Sequence, residues 1–167
     1  MRWEDLDQQP CSLARTLSVI GDRWTLLILR DCFLKVRRFE SFELRLGIAR
    51  HILADRLKKL VEAGVLDKVL YQERPRREEY RLTRKGLDLY PVLLAMLEWG
   101  DAYMADPEGP AVIRRHKKCG AVLASRPVCT SCGEAVTAHD VSVEAGPGAG
   151  DADIYLHAAT AVRSSSA

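Results

Sequence analysis

Apolar residues recur along this chain at two different periods. From Ser12 to Ile20, Leu13, Leu17 and Ile20 fall at i, i+4 and i+7, on one face of an amphipathic helix. Gly21 stops that helix and Asp22 is placed to cap the next. The second helix carries Trp24, Leu27, Ile28 and Leu29 and runs out near Cys32-Phe33-Leu34. A basic turn, Lys35-Val36-Arg37-Arg38, leads to a third helix, about Phe39 to Leu46, with Phe39, Phe42 and Leu46 on one side. Gly47 breaks it. From Ala49 to Ala63 the pattern is clearest: Leu53, Leu57 and Leu60 make a buried stripe. The opposite face holds His51, Asp55, Lys58 and Glu62, with Arg50 and Ala54 at its edge. Gly64 ends the helix in the left-handed conformation. The period then shortens. Val65–Tyr71 reads as a strand and Glu78–Leu82 as its partner, with a turn at Pro75. Thr83 can cap a long last helix from Arg84 to about Met104, with a kink expected at Pro91.

Helix, tight turn, helix and arginine-tipped hairpin, in that order, are the parts of a winged helix-turn-helix. The predicted fold class is therefore mainly α with a small β-hairpin wing (α+β). The expected organisation is a loose leader over 1–10, a winged helix-turn-helix and dimerisation domain over 11–104, and a linker over 105–110. A small Cys/His module over 111–141 and a flexible tail over 142–167 complete it. The 167 residues suffice for one well-buried domain plus such an appendage.

The net charge of +2 says little, but its distribution says more. Lys35 to Lys85 holds 15 Lys/Arg against 8 Asp/Glu, an excess of +7, and the rest of the chain sums to −5. A basic middle with acidic flanks suits a nucleic-acid-binding face. No apolar run is long enough to span a bilayer. The acidic start Met1–Asp7 lacks the order of a signal peptide, so no membrane partner and a cytoplasmic location are expected. Five unevenly spread cysteines do not suggest a secreted disulfide framework.

A recognition helix enters the major groove N-terminus first, so the exposed face of the fourth helix selects Arg50, His51, Ala54, Asp55 and Lys58 as DNA-contacting residues. The competing reading is a merely solvated face; the helix order and the wing weigh against it. Arg56 lies to the side, where an ion pair and a phosphate contact are equally expected. Arg74, Arg76 and Arg77 make the wing tip positive, and Arg37, Arg38 and Arg45 add further phosphate contacts. The partner is thus double-stranded DNA. One winged helix reads few base pairs, and the last helix has more apolar surface than a small core needs, so a homodimer on a near-palindrome is expected.

Near the C-terminus, His116-Lys117-Lys118-Cys119-Gly120 and Cys129-Thr130-Ser131-Cys132-Gly133 repeat one pattern: ligand, two residues, ligand, glycine. The set His116, Cys119, Cys129 and Cys132 suits a structural zinc ion, with His139 as a replacement ligand. Free thiols, a Cys129–Cys132 disulfide and a decayed metal site are the alternatives. No nucleophile–base pair or glycine-rich phosphate loop stands out, so an enzyme is not expected. A protein–protein module whose zinc knuckle is the working part remains the alternative function.

Residues 11–103 resemble the HxlR-type winged-helix regulators, relatives of the MarR group. The matching pieces are Cys11-Ser12-Leu13, Ile20–Arg30, Arg38-Phe39, Leu53–Leu57, Leu60, Ala63-Gly64, Tyr80–Thr83, Lys85-Gly86 and Trp99. The resemblance implies a homodimeric operator-binding protein, usually a repressor, that dimerises through its first and last helices. It also implies a redox role for an N-terminal cysteine, which Cys11 matches by position; Cys32, in an apolar setting, reads as core. The signal, an effector the sequence does not name or a thiol modification, would change the spacing or tilt of two recognition helices. Two positions depart from the family: Ala49 stands where a Ser often caps the recognition helix, and Lys35 where a Gly often makes the turn.

Overall fold

A computed structural model describes residues 3–143 and Gly146. The secondary structure is a 3-10 helix Trp3–Gln8, then α1 Ser12–Ile20, α2 Arg23–Phe33, α3 Phe39–Leu46, α4 Arg50–Glu62, β1 Leu66–Gln72, β2 Arg77–Leu82, α5 Arg84–Leu87 and α6 Tyr90–Met104. The described residues fall into two compact units. One is Val19–Ser125; the other joins the N-terminal segment up to Ser18 with the residues from Arg126 onward. The flexible tail expected over 142–167 lies almost wholly outside the described residues.

In the larger unit, the apolar stripes seen in the sequence meet in one core. Ile28 and Leu29 of α2, Phe42 of α3, Leu53, Leu57 and Leu60 of α4, and Leu66 of β1 are essentially inaccessible to solvent. Each such side chain contributes about 1.5–3 kcal/mol through burial. Asp22 caps α2 as expected, its Oδ1 accepting from the Trp24 and Thr25 amides at 2.7 and 3.1 Å. Gly47 and Gly64 take the left-handed conformation that closes α3 and follows α4, with φ of 58° and 67°. Lys35 is also left-handed, at φ 70°. Such a backbone costs a side-chain-bearing residue about 1–2 kcal/mol.

β1 and β2 pair antiparallel from Leu66↔Leu82 to Gln72↔Arg77, with an irregularity between Leu70 and Gln72. The Thr83 amide donates to the Val65 carbonyl, and the Thr83 hydroxyl accepts from the Gly86 amide. A Cβ on Gly86 would lie 2.2 Å from the Val65 carbonyl oxygen, so only glycine fits there. Two elements differ from the sequence reading. The leader contains a 3-10 helix. The single last helix is two, α5 and α6, because Pro91 sits in the first turn of α6, where a missing amide is tolerated, rather than within one long helix. Among the described residues no helix is long and apolar enough to cross a membrane.

Candidate nucleic-acid interface

Burying Leu53, Leu57 and Leu60 turns the other face of α4 outward. Arg50, His51, Ala54, Asp55 and Lys58 are all exposed, as the spacing predicts. Nothing on the Ala49 side chain caps this helix, so its first amides have no side-chain acceptor. Arg50 is held from α3: its Nη1 donates to Glu43 Oε2 at 2.8 Å and its guanidinium lies 4.7 Å from the Phe39 ring centre. Asp55 accepts from Lys59, which keeps its carboxyl below the ordinary carboxylate range. Lys58 lies 3.7 Å from Glu62 one turn on. Arg56 pairs with Asp22 at the start of α2 and with Asp55. Asp22 thus caps one helix and anchors another, and Arg56 takes the structural role.

The wing supplies the second surface. Arg74, Arg76 and Arg77 are exposed at its tip. Arg76 Nη2 donates to Glu78 Oε1 at 2.8 Å. Arg74 and Arg77 have no ion-pair partner among the described residues. The Tyr80 amide donates to the Arg37 carbonyl at 2.8 Å, which fastens the α2–α3 loop to β2 and brings Arg37 and Arg38 beside the wing. Arg38 stacks 4.8 Å from the Tyr71 ring centre. Arg37 lies 3.5 Å from Glu79, whose carboxyl the closer Arg81 holds below its usual range. Arg45, half exposed, also has a structural partner. Its Nε donates at 3.0 Å to Asp31, a fully buried carboxylate that Arg30 also binds, so Arg45 fastens α3 to α2.

Asp31, Glu43 and Lys59 were not singled out by the sequence reading. Asp31 had a signal, a lone carboxylate within the apolar run of α2. Glu43 had none, since its pairing with Arg50 depends on the angle between α3 and α4.

The cysteines divide by environment. Cys32 is in the core, and burial pushes its thiol up to about 12, which makes it inert at physiological pH. Cys11 is partly buried just before α1, and the Arg15 Nε donates to the Gln9 carbonyl. In the larger unit, His116 Nδ1 and Cys119 Sγ are 3.2 Å apart. In the smaller unit, the Cys132 and Ser131 amides bond the Cys129 sulfur and hold that thiol below its ordinary range. Among the described residues no group of three or more His, Cys, Asp or Glu side chains is gathered for a metal.

The family description that matches residues 19–108 is "HxlR-like helix-turn-helix". The chain belongs to this HxlR-like family. A similar relative is the HTH-type transcriptional regulator Rv3095 of Mycobacterium tuberculosis, 48% identical over 137 residues that span 82% of this chain and 87% of that one. The solved structure of PA1607, described as a candidate transcription factor, superposes with a TM-score of 0.76 at 39% identity, over 84% of this chain and 98% of that one. The redox regulator HypR in its reduced form gives a TM-score of 0.51 at 30% identity, over 55% of this chain and 92% of that one. This HxlR-like chain is therefore a transcriptional regulator with a DNA-binding helix-turn-helix, and not an enzyme.

Proposed function

We propose that this regulator is a homodimeric repressor that reads a near-palindromic operator with the exposed face of α4 while its wing arginines hold the flanking phosphates. The observation that carries the reading is the exposure of five polar or small α4 side chains in a chain whose wing tip also exposes Arg74 and Arg77 with no ion-pair partner among the described residues. The dimer part rests on α6. Val92, Met96, Trp99 and Tyr103 recur at helical spacing and stay exposed, at 42, 51, 57 and 75%. An apolar stripe of this kind on a helix is suited to a second copy. Two recognition helices related by a two-fold axis would meet half-sites ~34–36 Å apart.

Genome-wide footprinting supplies the operator, and binding to it tests the reading. Charge reversal of Arg50 and Lys58 is expected to abolish operator binding, and unchanged binding overturns the assignment of α4. Trp99→Glu is expected to give monomers in sedimentation; a persistent dimer removes α6 from the interface. For the signal, we propose oxidation of Cys11, supported by its place before α1 and by the similarity to the redox regulator HypR. If Cys11→Ser protein still leaves DNA on oxidant treatment, Cys11 is not the sensor.

A further inference from the structure

The two cysteine-bearing turns have the same backbone. In one, the His116 amide donates to the Ala121 carbonyl, the Gly120 amide to the His116 carbonyl, and the Leu123 amide to the Arg114 carbonyl, at 2.8, 2.8 and 2.9 Å. In the other, Cys129 donates to Glu134, Gly133 to Cys129, and Val136 to Pro127, at 2.9, 2.8 and 2.9 Å. Every donor and acceptor in the second set lies 13 positions after its counterpart. Each turn also carries one isolated bridge, Arg115↔Val122 in the first and Val128↔Ala135 in the second. Each closes on a left-handed glycine, Gly120 at φ 73° and Gly133 at φ 77°, a conformation that side-chain-bearing residues seldom adopt.

These turns bury almost nothing of their own, and the first is tied to α6 only through its flanks, by the Arg114–Asp101 pair and the Ser125 amide donating to Glu98 at 2.6 Å. No residue from 111 to 143 is buried, and Val122 and Val128, both in the bridges, are 60 and 57% exposed. Segments of about 40 residues or fewer that bury so little apolar surface need disulfides, metals or association to hold a fixed shape. Disulfides are not what holds them, since Cys119, Cys129 and Cys132 are free thiols. What the turns share instead is a pair of soft donors three residues apart. In the first, imidazole nitrogen and sulfur already sit 3.2 Å from each other.

We propose that both are zinc-ligating turns, one presenting His116 and Cys119 and the other Cys129 and Cys132. Thiolate and imidazole are the donors zinc prefers, and each turn offers two of them three residues apart. Uptake releases the thiol protons. The free energy of binding then adds to what orders residues 111–141, where little apolar surface is buried. Nothing in this depends on DNA binding, so it stands or falls apart from the repressor reading.

The test uses the full chain. Metal analysis of protein purified without added zinc is expected to find bound zinc, with protons released when zinc is returned to the chelated protein. Cobalt substituted for zinc is expected to show the ligand-field bands of a tetrahedral ion and sulfur-to-cobalt charge transfer, whose intensity counts the thiolates. Two variants, His116→Ala/Cys119→Ser and Cys129→Ser/Cys132→Ser, are each expected to bind less metal than the wild type. The helical circular dichroism of the winged helix should remain in both, since the buried residues are elsewhere. A folded wild type that neither carries zinc nor takes up cobalt overturns the proposal. Metal bound undiminished by one of the two variants strikes that turn from it.

Discussion

The arginines of the helical face and those of the wing tip are set in opposite ways. Around α4 nearly every guanidinium is fastened: Arg50 to Glu43 and Phe39, Arg56 to Asp22, Arg45 to buried Asp31. At the wing tip, Arg76 alone has a described partner, while Arg74 and Arg77 project without one. A fastened side chain has already lost its rotamer freedom and arrives at a base edge in one orientation, which favours discrimination. A loose one acts as a mobile charge for phosphate, which favours affinity and imposes salt dependence. The two surfaces should therefore fail differently when mutated.

Of the changes that separate the two surfaces, the largest effect is expected at the wing. Replacing Arg74 and Arg77 by Ala should weaken operator binding about 30-fold or more, and flatten the slope of log affinity against log salt by about 2 per subunit. Operator and random DNA should be affected alike. A loss confined to the operator would reverse the comparison and make the wing a reader of sequence. Next is the fastening itself. Asp31→Asn takes away the charge that two guanidiniums share in the core, and should cost about 2 kcal/mol of stability in urea unfolding at unchanged m value. A change below about 0.5 kcal/mol would mean that the Asp31 clasp does not hold α3 to α2.

Smaller gains are expected from repairing the two departures from the family. Ala49→Ser restores an acceptor for the first α4 amides and should stabilise the fold by about 1 kcal/mol. Lys35→Gly relieves a left-handed side-chain-bearing residue, offset by the greater freedom of glycine in the unfolded chain, for a net gain of about 0.5–1 kcal/mol. Thermal midpoints that fail to rise would show that these positions are not strained.

What the sequence made legible follows from which interactions are local. The α4 stripe of Leu53, Leu57 and Leu60 repeats within one helix, so its burial and the exposure opposite were both readable from spacing. Caps at Asp22 and Thr83 and the breaks at Gly47 and Gly64 were readable for the same reason. The fastenings were not. Arg45 meets Asp31 across 14 positions and Arg37 meets Glu79 across 42, so each depends on how elements pack. Pro91 was legible as a disruption but not as a helix start, because that depends on where the chain re-enters the core at Leu93 and Leu94. The 13-residue correspondence of the cysteine turns was half visible: the ligand spacing is in the sequence, the shared hydrogen bonds are not.

The smallest effect is the most discriminating. Glu43 holds Arg50 through a pair whose side chains are 66% and 33% exposed, so the pair itself contributes about 0–1 kcal/mol to stability. Glu43→Gln should leave the unfolding midpoint nearly unchanged. It should slightly raise affinity for random DNA, because one negative charge leaves the face that meets phosphate. Its main effect should be on choice: with Arg50 freed to turn, operator variants that differ at the base pair under Arg50 should be distinguished a few-fold less well. If discrimination is unchanged while Arg50→Ala abolishes it, then stacking on Phe39 alone orients Arg50, and the fastening that matters on this face is aromatic rather than ionic.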